Sequence, residues 1–188
     1  MHLIFSVCSL NTQVLSAGDF MTQTTSHTAP TYQPIDDALA PWQKAIYEGN
    51  LSFECGDLVV ARDHYTVAAN IAETLMAQFT NIPYSHTVAD SLSHCFPAFV
   101  VATHNLADTF KVMGQPEKAC NWLCHAHQKL SLVLCHPNEK IRHLVLHHHH
   151  KTYFELVKFA QMSADFPELI TRINHVLSDH PHKTQLLH

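Results

Sequence analysis

Two stretches of the chain overlay at a constant offset of 58 residues: Gly49, Gly56, Ala61, Tyr65 and Ala68 fall on Ala107, Gly114, Ala119, Leu123 and Ala126. Recurrence of small residues at fixed offsets is the mark of a repeated unit, and the step sizes are helical. Two antiparallel helices joined by a short turn approach closely only where side chains are small. Gly or Ala at each crossing, with a bulky residue four positions after the second-helix Ala, lets the pair interlock. The pattern therefore predicts helical hairpins, one built around Gly49 and Ala61 and one around Ala107 and Ala119.

The rest of the sequence fits that prediction. Apolar residues recur at three- and four-residue steps through Val59–Phe79, Phe99–Met113, Ala119–Leu134, Ile141–Ala160 and Leu169–Leu177, and strand-like alternation is scarce. Breakers divide the helices: Asn81-Ile82-Pro83, Gly114-Gln115-Pro116, His136-Pro137-Asn138 and Asp165-Phe166-Pro167. Pro97 falls within a helical run, where it either begins a new helix or kinks a long one. A third unit aligns at Val157, Ala160, Ala164, Leu169, Ile173 and Val176, with large residues replacing small ones at the crossing, as in a degenerate capping hairpin. With 188 residues and 46% apolar content, one domain with a sizeable core is expected, without disulfide or metal staples.

The residues Gly49-Asn50, Gly56-Asp57, Ala61, Tyr65 and Ala68, then Leu106-Ala107, Phe110, Gly114, Pro116-Glu117, Ala119, Leu123 and Ala126, resemble the tetratricopeptide repeat family. The resemblance spans roughly residues 41–178 and departs from the family at Ser52, where Phe110 is the aromatic counterpart, and in the spacing of units, which exceeds the usual ~34 residues. It implies an all-α fold of three antiparallel hairpins stacked as a short right-handed superhelix over residues 41–180. Residues 1–40 are expected as a poorly ordered N-terminal segment and 181–188 as a tail. A polar stretch opens at Met21, which is read as the natural start, with residues 1–20 an extension or frayed end.

The family also implies a groove lined by the first helix of each hairpin, and so a non-enzymatic protein-interaction module. In members that hold the C-terminal carboxylate of chaperone tails, two asparagines and several basic residues form a clamp. Asn50, Asn105 and Lys151 stand at matching places, while Ile46 and Glu155 occupy places that are basic in that clamp, and the Glu155 carboxylate would repel a peptide carboxylate. Other groove candidates in the same register are Gln43, Phe53, His104, Asp108, Lys111, Phe154 and Lys158, a mixture suited to an extended or helical peptide. Packing between hairpins is the competing reading for Phe53 and Phe154.

Charge and motif content narrow the function classes. A formal charge of −5 with 11 Lys plus Arg supplies no basic patch dense enough to neutralise a phosphate backbone, so nucleic acid is not expected as a partner. No window of about 18 apolar residues predicts a membrane span. The run Leu3–Val7 is short for a signal core and no Lys or Arg precedes it, so a cytoplasmic protein with reduced thiols is expected. The sequence carries no Gly-rich phosphate loop, no nucleophile elbow, no zinc-protease motif and no calcium loop. Neither an enzyme nor a cofactor is expected.

Histidine supplies the alternative. Of 188 residues 18 are His, four of them consecutive at His147–His150. On a helix His143, His147 and His150 share a face, and imidazoles at that spacing chelate divalent transition metals. Cys120, Cys124 and His127 form a second candidate set, with sulfur and imidazole ligands suited to zinc. Solvated drift on a helix face and filling of the core by cysteine are the competing readings. The second function class is thus a His/Cys-rich metal-binding or metal-responsive protein, and the third a structural role through self-association, a homodimer included, because short arrays leave end faces that can stack.

Overall fold

A computed structural model describes residues 34–179, which form six α-helices: α1 Pro34–Glu54, α2 Leu58–Thr80, α3 His86–Val112, α4 Pro116–Leu134, α5 Glu139–Met162 and α6 Pro167–Ser178. No strand occurs among the described residues. The fold is all-α and repeat-like, three helical hairpins packed in chain order, with α1 on α2, α3 on α4 and α5 on α6. Between hairpins, α2 packs on α3 and α4 on α5, while α3 also meets α1 and α5. Met21, the 1–20 extension, the tail at 181–188 and Cys8 lie outside the described residues.

The first two hairpins turn by the same device. Gly56 adopts φ +84° and Gly114 φ +69°, the left-handed conformation that glycine reaches without strain. At each end two backbone bonds close the helix: Gly56 N–H to Phe53 O and Asp57 N–H to Ser52 O, then Gly114 N–H to Lys111 O and Gln115 N–H to Phe110 O. These are the paired bonds of a Schellman cap. The 58-residue offset is therefore a repeat of turn geometry as well as of residue types. The third turn lacks glycine and closes through Ser163 N–H to Ala160 O and Phe166 N–H to Ser163 O.

Helix crossings are built from the small residues. Ala61, Ala68, Ala107, Ala119 and Ala126 are fully buried, and Gly49 is buried against the Tyr65 ring. A Cβ at Gly49 would lie 2.6 Å from Tyr65 Cε1, inside van der Waals contact. Around these crossings lies a first apolar cluster that includes Ile46, Leu106, Phe110, Leu123, Leu156 and Ile173. A second cluster, containing Ile35, Met76, Leu92, Phe96, Phe99, Leu130 and Val145, extends it toward the other helix ends, and Trp42 packs against both.

Two prolines lie inside helices, the first against the expected domain start and the second deciding between a new helix and a long one. α1 begins at Pro34 and runs through Pro41, with Ile35 and Leu39 buried in the core, so the helix opens seven residues before the expected domain start. Pro at the first helical position has no N–H to satisfy, and Asp36 and Asp37 in the first turn complement the helix dipole. α3 begins at His86, where Ser85 accepts the Val88 N–H at 3.1 Å, and continues through Pro97. Pro97 withholds the N–H that would reach the Ser93 carbonyl, a cost of about 3 kcal/mol. Burial of Cys95, Phe96, Ala98 and Phe99 on either side of it offsets that loss.

Candidate functional site

The first helices of the three hairpins bring polar side chains to one side of the stack. Asn50 of α1 accepts a hydrogen bond from the Tyr65 hydroxyl at 2.7 Å, and its Oδ1 also receives Asn105 Nδ2 of α3 at 3.5 Å. The two asparagines singled out in the sequence are therefore neighbours, 55 positions apart in the chain. Burial, followed by the charges of Glu54 and Asp108, pushes the Tyr65 phenol up to about 12, so it stays a hydrogen-bond donor at any physiological pH.

His104 of α3 is next to Asn105. Its Nε2 is buried and lacks a hydrogen-bond partner. Burial pushes the imidazole down to about 4, Asp108 works against that fall, and Lys151, Lys111 and Lys158 reinforce it. Charges of lysines on both α3 and α5 thus bear on this ring. Lys111 is ion-paired with Asp108, and Lys158 with Glu155 at 3.7 Å. Glu155, which would repel a peptide carboxylate, has its own cation.

Of the remaining groove candidates, Gln43 is exposed at the surface of α1. Ile46 is 5% exposed and belongs to the first apolar cluster, so it is a core residue and no partner can reach it. Phe53 packs on the same cluster. Phe154 is 68% exposed and meets Tyr153 edge to face with ring centroids 5.7 Å apart. Tyr47 and Leu51 on α1 are exposed as well.

Neither proposed metal set is assembled. Among the described residues no three His, Cys, Asp or Glu side chains are grouped to hold an ion. His143, His147 and His150 are all exposed on α5, on the face their spacing dictates, but His147 turns toward the His148 ring and His150 toward the His149 ring. Cys120 and Cys124 are buried in the core with sulfurs 3.9 Å apart. His127 leaves them, placing Nδ1 2.9 Å from Thr152 Oγ1 and stacking on His149 at 4.3 Å between centroids. The i, i+3 step from Cys124 aims its ring at α5, whereas the two sulfurs belong to the cluster that includes Leu169, Ile173 and Val176 of α6.

One polar cluster was not anticipated from sequence. Glu73 of α2 meets His125 Nε2 at 2.7 Å and Lys129 Nζ at 2.7 Å, one with each carboxylate oxygen. Burial alone would raise the Glu73 carboxyl, but the hydrogen bonds of Lys129 and His125 outweigh it and hold the group below the usual carboxylate range. Trp122 and Phe99 present ring edges to His125 at 5.5 and 6.0 Å. A perturbed carboxylate beside a histidine is a pattern seen in hydrolases. Here both carboxylate oxygens are spent on α4. Ser131, the hydroxyl in the adjoining open depression of about 440 Å³, donates to the His127 carbonyl and contacts His149. The arrangement pins the first hairpin to the second. Glu73→Ala is expected to lower stability by about 1–2 kcal/mol, read as a shift in the urea midpoint, with Glu73→Gln recovering part of the loss.

A family model described as protein of unknown function, DUF2753, matches residues 40–186. The chain belongs to the DUF2753 family. No curated protein and no solved structure matches it. The DUF2753 match takes in α1 from its seventh residue together with α2 to α6, so the Asn50–Asn105 contact and the Glu73 pin both lie within the family region. A second pin in the DUF2753 region is His136, between α4 and α5. Its Nε2–H donates to the Thr80 carbonyl at 3.0 Å and its Nδ1 accepts the Asn138 N–H at 3.0 Å, an assignment that fixes the neutral tautomer. No described helix is long and apolar enough to cross a membrane.

Proposed function

We propose that this chain is a non-enzymatic, tetratricopeptide-like interaction module of the cytoplasm that takes a partner polypeptide along the face formed by α1, α3 and α5. The observation that carries the reading is the contact of Asn50 on α1 with Asn105 on α3, beside a His104 ring that feels the charges of lysines on α3 and α5. Acids and lysines alternate there, which suits hydrogen bonding along an extended or helical segment better than capture of a single strong anion. Exposed Phe154 on α5 and Tyr47 on α1 supply aromatic anchors of the kind that dominate interfaces.

Substitutions at Asn50 or Asn105 are poor probes of this face because they cut bonds that hold the fold, Tyr65–Asn50 within the first hairpin and Asn50–Asn105 between the first and second. Phe154→Ala and Lys151→Glu change exposed side chains. Capture from native cytosol is expected to return one partner whose affinity for the isolated protein falls about tenfold or more with either substitution, while Val60→Ala, exposed on α2, leaves it unchanged. Equal affinity for all three variants overturns the proposal.

A further inference from the structure

The third hairpin is built short. Its second helix, α6, has 12 residues, whereas α2 and α4, the second helices of the other hairpins, have 23 and 19. α6 packs on both α4 and α5, buries Leu169, Ile173 and Val176, and ends at Ser178. Two open depressions mark the furrow between α4 and α5 from there on. In the first, of about 440 Å³, Ser131 and Leu132 of α4 meet Val176 and Asp179. The second, of about 340 Å³, is lined by Leu134 of α4 with Arg142, His143 and Leu146 of α5. Between them Ser131 contacts His149, tying the two helices together. Leu132 is 64% exposed and Leu146 37%, so each helix offers this strip an apolar side chain that no described residue covers.

The chain itself leads into the strip. Asp179 lines the first depression, and α6, folded back on α5, runs toward the Glu139 end of that helix. The sequence continues past the described residues as His180-Pro181-His182-Lys183-Thr184-Gln185 and then two adjacent leucines, Leu186 and Leu187. From His149 to Arg142 α5 rises about 10 Å. Seven residues from Asp179 to Leu186 cover about 10 Å as helix and up to about 23 Å when extended, so the second depression is within their reach. The DUF2753 match runs to residue 186, which makes this stretch part of the family region. Carried on to Leu186, the second arm of the third hairpin equals α4 in length.

We propose that residues 180–187 return along the α4–α5 furrow and seat Leu186 and Leu187 against Leu132, Leu134 and Leu146, so that the segment after α6 caps the helical array. The last unit of a stacked array needs an outer layer that is apolar inside and polar outside. The two leucines supply the inner side, and Lys183, Thr184 and Gln185 the outer one.

The full chain carrying Gln185→p-benzoylphenylalanine keeps both leucines and places a photo-crosslinker beside them. After irradiation and trypsin digestion, peptide 184–188 is expected joined to 130–140 or 143–151, the two peptides that carry the strip. Adding Leu186→Asp with Leu187→Asp, or Leu132→Asp alone, is expected to cut those products at least fivefold. Val67→Asp, an equal change at an exposed position of α2, is expected to leave them unchanged. Products at other peptides, no products, or products undiminished in the leucine variants overturn the proposal. So does a mixture of isotopically light and heavy chains in which the same peptides are joined only between chains, which assigns the strip to a second copy.

Discussion

Acidification from pH 7 to pH 4 is expected to remove about 3–5 kcal/mol of stability through two imidazoles, a large share of the ~5–15 kcal/mol that holds a domain together. His104 and His148 are both pushed down to about 4, in each case chiefly by burial. For His104 the charges of Lys151, Lys111 and Lys158 add to burial against Asp108, and for His148 the charges of His147 and Lys151 add to it. His148 packs on Phe96 with its Nδ1 buried and without a hydrogen-bond partner. The unfolded chain takes up a proton at each ring near the usual 6.5, whereas the folded chain does so only near 4. Between those values the unfolded state holds more protons. Stability is therefore complete above about 6.5, falls as pH drops through the window, and loses nothing further to these groups below 4. The fall from 6.5 to about 4 is worth about 3 kcal/mol at His104 and less at half-buried His148, where solvent screens the charge. Glu73 acts in the same direction in stronger acid, because its carboxyl is held low in the fold. Urea midpoints measured at pH 7 and pH 4.5 check the effect. The double variant His104→Gln, His148→Leu is expected to flatten the dependence, and an equally steep decline in that variant would exclude these rings as its source.

Gly49→Ala is expected to destabilise the protein even though alanine is the better helix former by about 1 kcal/mol. The added methyl would meet Tyr65 Cε1 at 2.6 Å and Cδ1 at 2.8 Å. The ring cannot swing aside cheaply, since it is 3% exposed and its hydroxyl is tied to Asn50. Overpacking of this kind costs about 1–3 kcal/mol, and loss of the Tyr65–Asn50 bond adds about 1 kcal/mol. We expect a net loss of about 1–3 kcal/mol for Gly49→Ala, more for Gly49→Leu, read from thermal melts. The second hairpin solves the same crossing with Ala107 and Leu123, both buried. The pair Gly49→Ala, Tyr65→Leu imports that solution and is expected to regain much of the loss, so the two substitutions are non-additive. Strict additivity would show that the two hairpins do not share a crossing.

That correspondence also explains why so much of the fold was legible in the sequence. Small residues are demanded wherever helices cross and glycine wherever a Schellman cap turns the chain, and both demands act on residue type at a fixed step. Pro41 misled, and Pro97 left two readings open, for the opposite reason. Local propensity says that proline interrupts a helix, and burial of Phe96, Phe99, Ile35 and Leu39 overrides it, a decision made by residues distant in sequence. Contacts of the candidate site are long-range in the same sense. Asn50 and Asn105 could be placed together because each sits at a repeat position. Glu73, His125 and Lys129 could not, although Glu73 is the one formally charged residue between Asp63 and Thr80, a signal that something must receive it. The Cys120–Cys124–His127 set failed as a zinc site because one-dimensional spacing does not fix which neighbour each side chain turns toward.

α5 runs for 24 residues and α6 for 12. At 1.5 Å per residue the closing rod is about 18 Å long against about 36 Å for the one before it. Folding back from the turn at 163–166, it shields only the C-terminal half of its predecessor, roughly 151–162. The imidazole-rich stretch at 143–150 lies on the other half, where no described segment follows. Among the described residues α6 does not reach that half, so its packing restricts side-chain type there less than on 151–162, and a composition that few helix interiors would accept is tolerated.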